Sequence, residues 1–249
     1  MAALLPGLLV AGRSVAVAHG EPPTDAEFAA DSPWAVVLVH DDGPAICTGS
    51  LISPRFVLTA AHCVGDGLTV LYGNRSRESA RRVAVREAIR HPKYISQPNA
   101  YDLGLLRLAR PLRLRPLPIA SRAETWTLLR PGGAATILGW GSTDTGEVRP
   151  DILRKATIRF ADLRIIGTHI VYSAPRGGPC DGDSGGPLLM NGYEGQPLVV
   201  GVASVTEGNL CATGGGWAGY TDVPAQIDFI RDHVRDLPER LPPLDFVGL

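Results

Sequence analysis

The segment CDGDSGGPLL, residues 180–189, holds a serine among glycines in this 249-residue chain. Ser184 follows Gly182 by two positions and precedes Gly185 and Gly186. Glycines allow a tight turn and the close approach of a second chain, as a nucleophilic side chain requires. Such a turn also leaves backbone N–H groups free to face a developing negative charge. The pattern predicts a nucleophile at Ser184, and the alternative is an ordinary glycine-rich turn.

Two other segments carry titratable side chains beside apolar runs. LTAAHC, residues 58–63, places His62 directly after an apolar run, where an inert core histidine is the alternative. YDLGLLRL, residues 101–108, places Asp102 just before an apolar strand. A carboxylate at the edge of a core is costly unless it accepts hydrogen bonds, although a strand-edge aspartate can also be a solvated turn residue.

Together, and in this order, the three segments resemble those of the chymotrypsin-like (trypsin-fold) serine proteases. Weaker matches are SPWAV (32–36), HPKY (91–94), LGWG (138–141) and GVAS (201–204). The resemblance implies an all-β fold of two packed antiparallel six-stranded β-barrels with a C-terminal α-helix. Short apolar runs separated by glycine and proline agree with this fold class. We predict the protease domain over residues 17–249, the helix over about 224–237 and a short tail after it.

The resemblance also implies a role for each of these side chains. Ser184 would attack the substrate carbonyl, His62 would act as general base, and Asp102 would orient the imidazole. The backbone N–H groups of Gly182 and Ser184 would form the oxyanion hole. The expected product of the first step is an acyl-enzyme, and the expected activity is that of a serine endopeptidase.

The four cysteines are widely separated in the sequence, which favours two disulfides or unpaired core thiols. The resemblance implies the pairs Cys47–Cys63 and Cys180–Cys211. No C-x-x-C pair occurs and no histidine stands at ligand spacing beside a cysteine, so we expect no metal and no cofactor.

Specificity is expected to differ from that of trypsin-like relatives, which carry an acid six residues before the nucleophile. Gly178 stands there, followed by Pro179, so no carboxylate would pair with a Lys or Arg side chain. Thr206 and Ala218 are the expected pocket walls, where they would narrow the slot. We therefore predict a preference for small or medium apolar residues at P1.

The remaining predicted substrate contacts surround this pocket. Asp181 would place negative charge at its mouth. The segment that begins at Ser204 and continues through Val205 and Thr206 would lie beside the substrate backbone, with Ser204 near Asp102. The stretch 159–175 is shorter than in relatives and lacks their additional cysteine pair.

The amino-terminal region predicts export and activation by cleavage. Residues 1–16 resemble a signal peptide or a remnant of one, with small residues where a signal peptidase cuts. Cleavage after Ala16 would expose Val17, whose ammonium would pair with Asp183 as in family zymogens. Cleavage after Ala18 would instead leave His19 first and prevent that pairing.

Net charge and composition restrict the partners. A formal charge of −1 and a pI near 6.6 argue against nucleic acid and anionic membranes. Polypeptide substrates, protein protease inhibitors and a secreted monomer are expected.

Two rival hypotheses remain at this point. One is a catalytically silent protease homologue that acts as a binding module. The other is an α/β-hydrolase esterase, because GDSGG also satisfies G-x-S-x-G. That fold needs a histidine after the acid, which leaves only His233, with Asp222 or Asp228.

Overall fold

A computed structural model describes residues 17, 20–40, 46–97, 99–142, 150–173, 177–193, 195–208 and 216–238. Its strands fall into two antiparallel groups. The first group is a closed barrel in the order β1-β2-β3-β6-β5-β4. Its strands are β1 (Ala35–His40), β2 (Ile46–Ser53), β3 (Phe56–Thr59), β4 (Leu68–Tyr72), β5 (Arg81–Arg90) and β6 (Gly104–Leu108). The predicted first barrel is therefore confirmed.

The second group is a seven-stranded sheet in the order β8-β7-β11-β12-β13-β10-β9. Its strands are β7 (Ala134–Gly139), β8 (Arg154–Arg159), β9 (Asp162–Ile166), β10 (His169–Ser173), β11 (Pro187–Asn191), β12 (Pro197–Gly208) and β13 (Gly216–Asp222). The prediction for this half was six strands closed into a barrel, whereas β8 and β9 are not hydrogen-bonded to each other.

The difference has a simple origin in the chain between β8 and β9. Only Phe160 and Ala161 separate these two edge strands, so the end of β8 and the start of β9 must lie within about three residue lengths of each other. The Ala161 N–H donates to Ser173 O (2.9 Å) at the end of β10. The sheet is thus rolled. Its two edge strands, β8 and β9, are joined by the chain at residues 160–161 and not by a ladder of hydrogen bonds.

The structure has two apolar cores, and the first extends from the barrel to side chains of β7, β11 and β12. Large buried side chains in the first include Leu51, Leu58 and Leu105. The second core contains Ile137, Phe160, Ile170 and others packed inside the rolled sheet. In each case the alternation of side chains along the strands sends apolar residues inward.

Three α-helices accompany the strands in the described ranges: α1 (Asp25–Asp31), α2 (Arg122–Leu128) and α3 (Ile227–His233). The predicted C-terminal helix is present but shorter than 224–237. A 3-10 turn at Pro224–Gln226 precedes α3, and the Val234 N–H caps it by donating to Ile230 O (2.8 Å). Val234 remains buried in an extended conformation, so the apolar spacing continues beyond the last helical residue.

No helix in the described part of the chain is both long and apolar enough to cross a bilayer. Residues 1–16, where the signal peptide is predicted, lie outside the described residues.

Candidate active site

His62 lies on a 3-10 turn, Ala61–Cys63, that follows β3 directly. Its backbone N–H donates to Asp102 Oδ1 (2.9 Å), and its Nδ1 lies 2.7 Å from Asp102 Oδ2. Because a carboxylate only accepts hydrogen bonds, the proton of a neutral imidazole is placed on Nδ1. Nε2 is then free to accept a proton from another group. The side chain is 28% exposed, so a substrate can reach it.

Asp102 is completely buried just before β6. Besides the two bonds from His62, its Oδ2 accepts a hydrogen bond from Ser204 Oγ (2.6 Å). The Thr221 hydroxyl donates to the Asp102 backbone carbonyl (2.9 Å). These donors compensate for the desolvation that makes an unpaired buried carboxylate so costly. The alternative of a solvated turn aspartate is therefore wrong.

Ser184 occupies the turn between Cys180 and β11, at the contact between the two sheets. Thr48 of β2 donates its backbone N–H to Ser184 O (2.8 Å) and its hydroxyl to Gly182 O (3.1 Å). A Cβ on Gly185 would overlap the Thr59 hydroxyl and approach Ala60 N to 3.1 Å. The turn with Ser184 thus packs directly against the chain that leads into His62.

The Ser184 hydroxyl makes no hydrogen bond to a described residue, His62 included. Nucleophile–base hydrogen bonds are often long in ligand-free sites and shorten when substrate binds. Ser184 is partly exposed, whereas its neighbours Asp183 and Gly185 are buried. The turn therefore leaves Ser184 partly accessible to solvent between two buried residues.

Three backbone N–H groups of this turn have no acceptor among the described residues: those of Asp181, Gly182 and Ser184. The N–H groups of Asp183 and Gly185 are used, because they donate to Cys180 O (2.9 Å) and Ala203 O (2.9 Å). Gly182 reaches this geometry with φ of +99°, which strongly favours glycine. The unused N–H groups of Gly182 and Ser184 are the two donors predicted to form the oxyanion hole.

Asp183 points away from Ser184 into the protein and is 2% exposed. Its carboxylate accepts hydrogen bonds from the Gly141 N–H (2.8 Å) and the Cys180 N–H (2.9 Å). Burial raises the pKa of Asp183 to about 7, although these two hydrogen bonds act to lower it. No cationic side chain in the described ranges pairs with it. Val17 is also buried, in the second apolar core.

The predicted pocket residues lie on both sides of the turn. Gly178 and Pro179 are buried just before it, and Asp181 is exposed. On the far side, Thr206 of β12 lies opposite Ala218 of β13 in the strand register. Ala218 is completely buried and Thr206 is exposed, so these two residues of the predicted pocket wall differ in depth.

A groove of about 800 Å³ runs along the outer face of the rolled sheet beside this wall. Val205, which is predicted to lie beside the substrate backbone, is among the residues that line this groove. The short stretch 159–175, for which the sequence predicts no conformation, forms the β9–β10 hairpin that bounds this groove; residues 174–176 lie outside the described residues.

Tyr172 was not predicted as a site residue, and it lies beside Ala218, a residue of the predicted pocket wall. It is 1% exposed and stands opposite Ala218 in the β10–β13 register, in line with Thr206. Its ring stacks against Tyr220, with centroids 5.8 Å apart, and meets Phe160 at 5.3 Å. Burial raises the pKa of Tyr172, and the nearby Asp183 carboxylate raises it further. A lone tyrosine in an alternating strand gave no signal of this position.

The disulfide Cys47–Cys63 is present and links β2 to the turn that carries His62. Cys180 is disulfide-bonded too. Its predicted partner, Cys211, lies outside the described residues.

The α/β-hydrolase hypothesis fails on this geometry. The sheets are antiparallel, whereas a nucleophile elbow sits in a mostly parallel α/β sheet. His233 lies on α3, where its Nδ1 is 2.9 Å from Phe229 O and its ring packs against Phe229.

Comparison with known proteins agrees with this architecture. The family model described as Trypsin matches residues 20–230. A protein named trypsin from Saccharopolyspora erythraea is 32% identical over 225 residues, covering 82% of this chain and 93% of that protein. Vitamin K-dependent protein C of Oryctolagus cuniculus is 30% identical over 234 residues, covering 83% of this chain and 50% of that protein.

The chain belongs to the trypsin family. It is accordingly a serine endopeptidase, and the predicted family resemblance is confirmed.

Proposed function

We propose that this protein is a secreted endopeptidase that cleaves peptide bonds through Ser184, His62 and Asp102. The observation that carries the proposal is the buried Asp102 carboxylate, which accepts both the backbone N–H and Nδ1 of His62. This arrangement would leave Nε2 as the base, and the packing of the Ser184 turn against Thr59 and Ala60 supports its pairing with Ser184. An inert core histidine would be buried, whereas the His62 side chain is 28% exposed and is held by a buried carboxylate.

The reaction would follow from this geometry. His62 Nε2 takes the proton of Ser184 Oγ as that oxygen attacks the substrate carbonyl carbon. The N–H groups of Gly182 and Ser184 donate to the resulting oxyanion, and each such donor is worth about 3 to 4 kcal/mol in comparable enzymes. The imidazolium then protonates the leaving amine, which gives an acyl-enzyme. Water activated by His62 releases the acid and restores Ser184.

Small or medium apolar side chains at P1 suit the pocket. Gly178 supplies no carboxylate for a basic side chain, and Tyr172 fills the space beside Ala218 with a buried aromatic ring. A substrate side chain entering between Thr206 and residues 178–179 would meet this ring after a short distance. Asp181, exposed near the entrance, would disfavour acidic side chains there.

Activation would join Val17 to Asp183. A buried carboxylate without a cationic partner is costly when ionised, and the raised pKa of Asp183 reflects this cost. A free ammonium at Val17, released by cleavage after Ala16, would compensate for the charge. The burial of Val17 in the second core supports the proposal that it inserts beside this loop.

The remaining assignments belong to the same proposal. Cys180 would pair with Cys211 and connect the Ser184 turn to the strand region beyond β12. The rolled sheet would act as the second barrel. Polypeptide substrates would reach the site of a monomer, and protein inhibitors would bind along the groove beside Val205.

Peptide-library cleavage by the processed protein tests this function. We expect cuts after alanine, valine or similar residues, and none by the Ser184→Ala variant. Cleavage after arginine or lysine would contradict the pocket assignment alone. A folded, correctly processed protein that cleaves nothing would favour the silent binding homologue.

A further inference from the structure

A second histidine lies behind the aspartate of the site. His169 begins β10, is 9% exposed and lies opposite Thr221 of β13. Its Nε2 is 3.2 Å from Ser204 Oγ, the hydroxyl that donates to Asp102 Oδ2. Its Nδ1 is 3.4 Å from the Thr168 hydroxyl. The contacts form a continuous line from the surface hairpin to the buried carboxylate.

Counting protons fixes the direction of every bond in this line. Ser204 has one hydroxyl proton, and Asp102 can only accept, so that proton lies between Ser204 and Asp102. The contact between Ser204 and His169 therefore requires a proton on His169 Nε2, with Ser204 Oγ as acceptor. Nδ1 of the neutral ring is then the acceptor for the Thr168 hydroxyl.

Thr168, at the other end of this hydrogen-bond chain, contacts Tyr101, the residue before Asp102. The Tyr101 N–H donates to Thr168 Oγ1 (3.2 Å), and Tyr101 adopts φ of +55°, a strained value for a non-glycine residue. Burial lowers the pKa of His169, although Asp102 opposes this, so the ring stays neutral around pH 7. Chains of hydrogen bonds in a low-dielectric interior polarise one another.

We infer that His169 is a positioning residue for the proposed reaction, holding the Ser204 hydroxyl in the orientation that donates to Asp102. It touches no reacting atom and acts through Ser204. Without its Nε2 proton, the Ser204 hydroxyl would be free to rotate away from Asp102, and the carboxylate would hold His62 less firmly. The inference rests on the proposed function for its catalytic consequence, but its hydrogen-bond geometry does not.

The first test reads the proton directly. In Ser184→Ala protein, which avoids self-digestion, ¹⁵N NMR at pH 7.5 should show His169 as the neutral tautomer protonated at Nε2. Protonation at Nδ1 alone, or a doubly protonated ring, would overturn the inference. This measurement does not depend on catalysis, so it separates failure of the inference from failure of the proposed function.

The second test is a double-mutant cycle on peptide hydrolysis. His169→Leu should lower kcat about tenfold, the effect of one hydrogen bond to a charged network, and leave KM within about twofold. His169→Gln, whose amide can donate from a similar position, should recover most of the loss. In the Ser204→Ala background, His169→Leu should have no further effect. An equal loss in both backgrounds, a change in KM instead, or a Gln variant as impaired as Leu would contradict the inference.

Discussion

Asp102 shows how much one buried residue can determine. Three hydrogen bonds converge on its carboxylate, from the His62 N–H, His62 Nδ1 and Ser204 Oγ. They stabilise a charge that would otherwise be costly to bury and hold the imidazole in one tautomer. The charge and the ring orientation therefore depend on each other, as the proposed role of His62 as a base requires.

Substitution of Tyr172 tests the predicted preference for small or medium apolar side chains at P1. Tyr172→Val should raise kcat/KM for phenylalanine at P1, relative to alanine at P1, by at least about tenfold, because removal of the ring deepens the pocket. Steady-state hydrolysis of matched peptide amides measures this ratio. Valine suits a strand and leaves a smaller cavity than alanine, which limits the loss of stability.

Tyr172→Phe is the matched control, since it removes the hydroxyl and keeps the ring. It should retain the wild-type ratio. An unchanged ratio in Tyr172→Val, with activity otherwise intact, would show that this ring does not limit the pocket.

Among single residues, the sequence predicted those candidate site residues that have distinctive neighbours along the chain. It missed the residues whose sequence neighbours are ordinary. His62, Asp102 and Ser184 each follow or precede an apolar strand in an unusual way, and this setting is visible in the order of the amino acids alone. Thr48, Tyr172 and His169 are ordinary strand residues in the sequence. Their importance arises from cross-strand neighbours, which only the register reveals.

Among the structural elements, the disulfide between β2 and the His62 turn makes a prediction of its own. It closes a loop with a sequence separation of 16 residues. Replacing both Cys47 and Cys63 by alanine should lower the free energy of unfolding by about 3 kcal/mol, measured by denaturant titration. The double serine variant should lose a similar amount, because the cross-link and not the side-chain polarity is removed. A loss below about 0.5 kcal/mol would contradict this account.

Two helices were missed although their sequences contain a recognisable signal. Thr24 and Glu27 cap α1 reciprocally, and Ser121 and Glu124 do the same for α2. This S/T-x-x-E pattern marks a helix start. Both helices have only seven residues, too short for an apolar period to stand out among the strands.

The C-terminal helix was predicted too long, whereas α1 and α2 were missed. Apolar spacing predicted residues 224–237, but α3 ends at His233. Val234 and Leu237 still pack against the core after the backbone becomes extended. Side-chain burial alone therefore could not define where the helix ends.

For the molecule as a whole, the proposed pairing of Asp183 with Val17 would couple the amino-terminal region to the Ser184 turn. In unprocessed Ser184→Ala protein, this carboxyl has a raised pKa of about 7, against 3.8 for an unperturbed aspartate. Between about pH 4 and pH 7 the folded state keeps a proton that the unfolded state has lost. The protonated Asp183 carboxyl thus contributes fully to the free energy of unfolding below about pH 4. This contribution is lost as the pH rises to about 7, by up to about 1.4 kcal/mol per pH unit.

Denaturant titrations from pH 4.5 to 7.5 measure this coupling. Asp183→Asn, which cannot titrate, should reduce the fall in stability with pH. Protein that begins at Val17 should also show less fall, because an ammonium beside Asp183 lowers its pKa. Equal pH dependence in all three proteins would contradict the proposed pairing of Val17 with Asp183.

The two-sheet architecture followed from the family resemblance, but the way the second sheet closes did not. The bend at Phe160 and Ala161, which turns one edge strand into the other, has no clear composition signal. The first barrel closes through hydrogen bonds and the second circuit through the chain itself, and Ser184 lies where the two meet.

The central claim is that Ser184 is a nucleophile activated by His62. A peptidyl fluorophosphonate with alanine at P1, followed by mass spectrometry of the digested protein, tests it most directly. We expect one label per processed molecule, located on Ser184, and a loss of the labelling rate of several orders of magnitude in His62→Ala. Labelling on another residue, or equally fast labelling of Ser184 without His62, would contradict the claim.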